Sequence, residues 1–108
     1  NETSALSDFT FHPKALADLS EIGEYLAGRS ADAAGDLIDE FFRAFEHLSR
    51  FPAAGFRRAN LSRFPLRFWV VREYLVAYAP DRRPVSIIAI VHGRRSPRVF
   101  SSILRSRL

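Results

Sequence analysis

The side chains of this chain best suited to chemistry gather late, in His92-Gly93-Arg94-Arg95-Ser96-Pro97-Arg98. A histidine among arginines suits a phosphodiester. Cleaving RNA at its 2′-hydroxyl needs one group to take that proton, another to protonate the leaving oxygen, and cations for the crowded phosphate. Cations are plentiful, since Arg57, Arg58, Arg67 and Arg72 join Arg94, Arg95 and Arg98 in the second half. Proton carriers are scarce: beyond residue 50 only His92, Glu73, Tyr74 and Tyr78 qualify. Glu73 falls in the tight turn expected between two strands. Tyr74 and Tyr78 lie an even number of residues apart, share a strand face, and read as packing residues with locally bonded hydroxyls. Strict alternation puts His92 on the face of Ile88 and Ile90, as a structural histidine near the sheet end. The set reads as a hold on an anion, with no catalytic residue. Were the chain a nuclease, His92, Arg94 and Arg95 would carry the reaction.

Charge is divided along the chain more sharply than the formal net of +4 indicates. Residues 1–50 hold four basic against ten acidic side chains, a balance of −6. Residues 51–108 hold twelve arginines against Glu73 and Asp81, a balance of +10. Such asymmetry favours an anionic partner for the second half. Every basic residue there is arginine, whose planar fork matches phosphate and carboxylate. A GC-rich genome would also enrich arginine.

Periodicity supplies the scaffold for these groups. Pro13 ends a short strand carrying Phe9 and Phe11 and suits the first position of a helix. Leu16, Leu19, Ile22 and Leu26 form that helix's apolar stripe, opposite Asp18, Glu21 and Glu24. Gly28 is placed for a left-handed cap. Ser30 caps a second helix, whose face of Ala34, Leu37, Ile38, Phe41, Phe45 and Leu48 is broadened by Phe42, and Pro52 stops it. The short link Gly28-Arg29-Ser30 makes the two helices antiparallel. Strands come next over residues 66–73, 74–80 and 85–92, joined closely enough to be an antiparallel meander. The tail forms a last helix with Val99, Ile103 and Leu104 inward. The expected fold is α+β in the order β-α-α-β-β-β-α, a helical hairpin packed on a mainly antiparallel four-stranded sheet, as a single domain over residues 1–108. The place of the first strand does not follow, because no short connection ties it to a neighbour.

Several classes are excluded. There is no cysteine, hence no disulfide and no thiolate chemistry. His12, His47 and His92 lack ligand spacing, so neither a metal nor a cofactor is expected. No apolar run approaches the ~20 residues of a membrane span. The opening NETSALSD is polar with two acids, unlike a signal peptide, so a cytoplasmic protein with no membrane partner is expected.

Five pieces in order carry a family likeness. They are the strand ending Phe11-His12-Pro13; the helix beginning Lys14-Ala15-Leu16-Ala17-Asp18-Leu19; His47-Leu48 leading to Phe51-Pro52-Ala53-Ala54-Gly55; the hairpin WVVREYLVAYAP; and the strand ending His92-Gly93-Arg94-Arg95. Over roughly residues 9 to 95 the chain resembles the RelE/ParE superfamily of bacterial toxins, and its ParE-like branch in particular. That resemblance implies the toxin of a type II toxin–antitoxin pair. It further implies DNA gyrase as the target and a ParD-like antitoxin that wraps the toxin with a flexible amphipathic segment. Operator DNA would be met only through the antitoxin. RelE-like members instead cut messenger RNA on the ribosome, typically with a tyrosine or histidine in the C-terminal segment, and here SPRVFSSILRSRL has neither. The expected target surface is Arg94 and Arg95 with Arg67, Arg72 and Arg98, extended by Arg57 and Arg58. The antitoxin is expected over Leu19, Ile22, Leu26, Phe41, Phe42 and Phe45, because the three phenylalanines span more than one helix face. Phe64, Phe68 and Trp69 offer another reading, as a platform for stacked bases, although they alternate with charge as a strand with one buried face would.

Overall fold

The computed structural model describes residues 9–108, and the stretch NETSALSD lies outside them. The elements are β1 (Phe9–Phe11), α1 (Pro13–Ala27), α2 (Ala31–Arg50), a single 3-10 turn (Pro52–Ala54), β2 (Arg67–Val71), β3 (Tyr74–Ala79), β4 (Val85–His92) and α3 (Pro97–Arg107). The expected meander is present, with β3 antiparallel to both β2 and β4. The strand that sequence could not place lies parallel to β4, Phe9 opposite Val85 and Phe11 opposite Ile87, giving the sheet order β1-β4-β3-β2.

Local chemistry accounts for the helix ends. Pro13 occupies the first turn of α1, and His12 caps it by accepting the Lys14 N–H on Nδ1 at 3.0 Å. Ser30 Oγ accepts the Ala33 N–H at 3.2 Å to cap α2, with Asp32 beside the helix's positive end. Gly28 departs from expectation. Its φ of −64° is right-handed, and α1 ends because Arg29 and Ser30 both donate to the Leu26 carbonyl. With the next helix starting so soon, the chain reverses without a left-handed residue.

The sheet has a core on each face. On one, Leu19, Leu37, Phe41, Phe45 and Leu48 from the helical hairpin meet Val71, Val76, Tyr78, Val85, Ile87 and Ile90. On the other, Phe100 and Leu104 of α3 cover Phe68, Ala77, Ile88, Ala89 and Val91. Each large side chain so buried contributes about 1.5–3 kcal/mol. Phe100 points inward, edge-on to Phe68 at 5.8 Å, whereas Val99, expected inward, is 38% exposed. With Pro97 at the helix start, the spacing of Phe100, Leu104 and Arg107 defines the sheet-facing side.

A β-bulge corrects the reading of His92. Ala77 pairs with Ala89 and Tyr78 with Ile87, which leaves Ile88 as an extra residue. Ile88 and Ala89 therefore both face α3, and alternation resumes inverted, with Ile90 in the core under the helical hairpin and His92 beside Tyr74. Ile88 and His92 do not share a face. β1 stops opposite Ile87, so the bulge lies on an open sheet edge. Arg107 and Asp18 reach it from opposite sides. Arg107 donates to Asp18 at 2.6 and 3.1 Å and to the Ile88 carbonyl at 3.0 Å, while the Ile90 N–H donates to Asp18 at 3.0 Å. Charged side chains thus complete an edge that a longer β1 would have paired.

Candidate functional site

The β2–β3 hairpin turns at Arg72 and Glu73, because Val71 pairs directly with Tyr74. Arg72 takes a left-handed φ of 52°, and its Nε donates to Glu40 on α2 at 2.8 Å. The segment after β4 docks against this turn through Gly93, whose N–H donates to the Glu73 carbonyl at 2.7 Å. His92 shapes the turn beyond Gly93. Its Nδ1 accepts the Arg94 N–H and its carbonyl accepts the Arg95 N–H, each at 3.0 Å. Ser96 then caps α3 through the Val99 N–H. Arg94, Arg95 and Arg98 project from this turn exposed, and among the described residues no acid pairs with them.

Behind the arginines runs a groove of about 800 Å³ between α1, the open edge of β4 and Ile103 of α3. Ile22, Leu26 and Ile103 give it apolar walls, Asp18 and Glu21 an acidic side, and Arg29, Arg94 and Arg95 a basic one. Tyr74, Glu73 and His92 also line it, with the Tyr74 and His92 rings edge to face at 5.2 Å. Burial, helped by the negative charge of Glu73, pushes the Tyr74 hydroxyl above its ordinary pKa.

The remaining arginines of the expected target surface lie elsewhere. Arg67 begins β2, one strand length (~16 Å at ~3.3 Å per residue) from the turn at Arg72. It is half-buried and donates to the Gly55 carbonyl at 2.7 Å. Arg57 and Arg58 come after Gly55 in the same loop, Arg58 bonded to Asn60. Tyr78 locks this loop. Its hydroxyl donates to the Pro52 carbonyl at 2.6 Å and accepts the Gly55 N–H at 2.8 Å. A Cβ on Gly55 would sit 2.5 Å from that hydroxyl, so only glycine fits. Burial raises the Tyr78 pKa, partly offset by the Gly55 bond and the nearby Arg67.

Of the residues expected under an antitoxin, Leu19, Phe41 and Phe45 are buried in the core. Phe9 and Phe11 of β1 stand 5.6 and 5.4 Å from Phe45 and cover it. Ile22 and Leu26 are half-buried in the groove wall, and Phe42 keeps 38% exposure. Tyr25 at 63% and Leu16 at 51% offer more apolar surface than any of the six. Leu16 belongs to the apolar stripe of α1 yet lies exposed while Ala15 is buried in its stead, and Tyr25 fell outside that stripe. Phe68 and Trp69 face opposite cores and Phe64 stands apart, so the three form no stacking platform. The Asp18–Arg107 clasp also went unread, since no local pattern links residues so distant. No helix among the described residues is long and apolar enough to cross a membrane.

A family model described as the ParE toxin of the type II toxin–antitoxin system parDE matches residues 9–97. The chain belongs to the ParE toxin family. Among solved structures it is similar to a chain of a chromosomal ParDE system from P. aeruginosa, with a TM-score of 0.64 and 17% identity over 78% of this chain and 92% of that one. That likeness supports the ParE fold. No curated protein matches significantly.

Proposed function

We propose that this ParE-type toxin acts by binding DNA gyrase, alone or with its DNA, through the basic rim of Arg94, Arg95 and Arg98, and does no covalent chemistry itself. The observation that carries the reading is the His92 Nδ1 bond to the Arg94 N–H. The imidazole beside the arginines is committed to holding their turn. Its neighbour Tyr74 has a raised pKa, which takes it further from a proton carrier suited to neutral pH. Phe100, the aromatic ring of α3, is buried against Phe68. Arg72 stands beside this surface at the hairpin turn, whereas Arg67, Arg57 and Arg58 lie at the far end of β2 and are left out of it. Neither metal nor cofactor enters the reading, and the proposed place of action is the cytoplasm.

A ParD-like antitoxin is the proposed inhibitor. Its segment would lay apolar side chains on Ile22, Leu26 and Phe42 and bring acids to Arg94 and Arg95, along the open edge of β4. Operator DNA would be reached only through that antitoxin. One observation favours a second reading, ribosome-dependent cleavage of messenger RNA: Glu73, Tyr74, His92, Arg94 and Arg95 line a single groove. Inducing the chain alone in bacteria separates the two. Gyrase-dependent DNA breaks with an SOS response are expected. Transcripts cut on the ribosome, with cutting lost in His92→Ala, would establish the second reading in place of the first.

A further inference from the structure

The outer side of α3 is a row that the target surface read from sequence included only at its start. Arg98, Ser102 and Arg105 fall within about 60° of one another at ~100° per residue, opposite the buried Phe100 and Leu104. Arg94 and Arg95, exposed in the turn before the Ser96 cap, add two unpaired cations at the start of the row, where the groove opens. No acid occurs after Asp81 in the sequence. Among the described residues the ion-paired arginines are Arg72 and Arg107, while Arg105 bonds only Ser101 Oγ, at 3.3 Å. The row therefore keeps its charge for a partner.

Its composition says which kind. A protein interface needs an apolar or aromatic centre, and this row has only arginine and serine, with Ile103 turned away into the groove. Arginine and serine are what phosphate oxygens take. Arg98 and Arg105 stand ~10 Å apart along the helix, the rise of about three phosphates on one DNA strand. We infer that Arg94, Arg95, Arg98 and Arg105 seat α3 on the sugar–phosphate backbone of duplex DNA. This deepens, and rests on, the reading of gyrase with its DNA as the target.

The test titrates the full chain into a fluorescent DNA duplex of about 20 base pairs, without gyrase, across a salt series. Four phosphates neutralised give a log–log slope near −3.6, and Arg98→Ala with Arg105→Ala reduces it to about −1.8. Both side chains are exposed, so the double variant should keep its circular dichroism and melting point. An unchanged slope in the variant, or no wild-type binding at on the order of 50 mM salt, overturns the inference. So does equal displacement of the duplex by a polyglutamate peptide of matched charge, which would assign the row to an acidic protein segment. Tighter binding of the matching RNA duplex would overturn the choice of DNA. Because gyrase is absent, duplex binding by a chain that causes no gyrase-dependent breaks supports this inference while removing the gyrase reading.

Discussion

The two ends of the β2–β3 hairpin carry the same side chain in opposite circumstances. At the loop end, Arg67 is half-buried on the Gly55 carbonyl and Tyr78 ties Gly55 to Pro52. At the turn end, Arg94, Arg95 and Arg98 form no ion pair among the described residues, and the backbone that presents them is held by His92 and the Glu73 carbonyl. One end is scaffold and the other is surface. The contrast shows that an arginine's role depends on what already satisfies its donors, which a charge count along the sequence does not reveal.

The contrast breaks first at the surface end. Arg94→Ala with Arg95→Ala should weaken target binding on the order of a hundredfold, as two charge-assisted contacts of ~1.5 kcal/mol each imply. Survival after induction should rise accordingly, with the melting point almost unmoved. Full toxicity in this variant would remove the rim from the account. The clasp should behave in the opposite manner. Arg107→Ala leaves Asp18 largely buried without its partner and should cost about 3–5 kcal/mol in urea unfolding. Pairing Arg107→Met with Asp18→Leu should recover much of that loss, and a double variant as unstable as the single would show that the charges themselves are required.

The scaffold end is best probed with pH. Burial raises the Tyr78 pKa in the folded chain. The folded state therefore holds that proton when the unfolded state, near pKa ~10, has released it. Stability from this group is complete below pH ~10 and declines as pH rises through the folded pKa. Tyr78→Phe should be less stable at pH 7, having lost two hydrogen bonds, yet decline less steeply above pH 10. Parallel curves for the two proteins would count against Tyr78 as the buried lock. The smallest effect belongs to Arg72. Arg72→Gly relieves a left-handed backbone worth ~1 kcal/mol and gives up an exposed ion pair worth ~0.2–1 kcal/mol, so stability should scarcely change. A loss beyond ~2 kcal/mol would move Arg72 from surface to scaffold.

The helices and the meander were legible because their signals are local: Pro13, Ser30, Pro52 and two clean periods. The strand β1 was legible too, but its place in the sheet was not, since its partner is a parallel strand far along the chain. The same distance hid the burial of Phe45, which depends on rings arriving from β1, and that of Phe41, which lies against Tyr74 of β3. The bulge was invisible for another reason. In VSIIAIVH the core-facing and opposite residues are nearly all apolar, so an extra residue leaves no mark on the pattern, although it decides which face Ile88 and His92 occupy. The arginines of the site were legible by type and position. Which of them were already bonded was not, because Gly55, Glu40 and Asp18 are brought to Arg67, Arg72 and Arg107 only by the fold.

The join between Asp18 and Arg107 spans 89 residues of sequence. A chain emerging from the ribosome amino end first can form its helical hairpin early. The bulged edge of β4, however, must wait for the last turn of α3. The charged cover over the bulge is thus completed only after residue 107 has been made, later than any other contact of α1 with the rest of the fold.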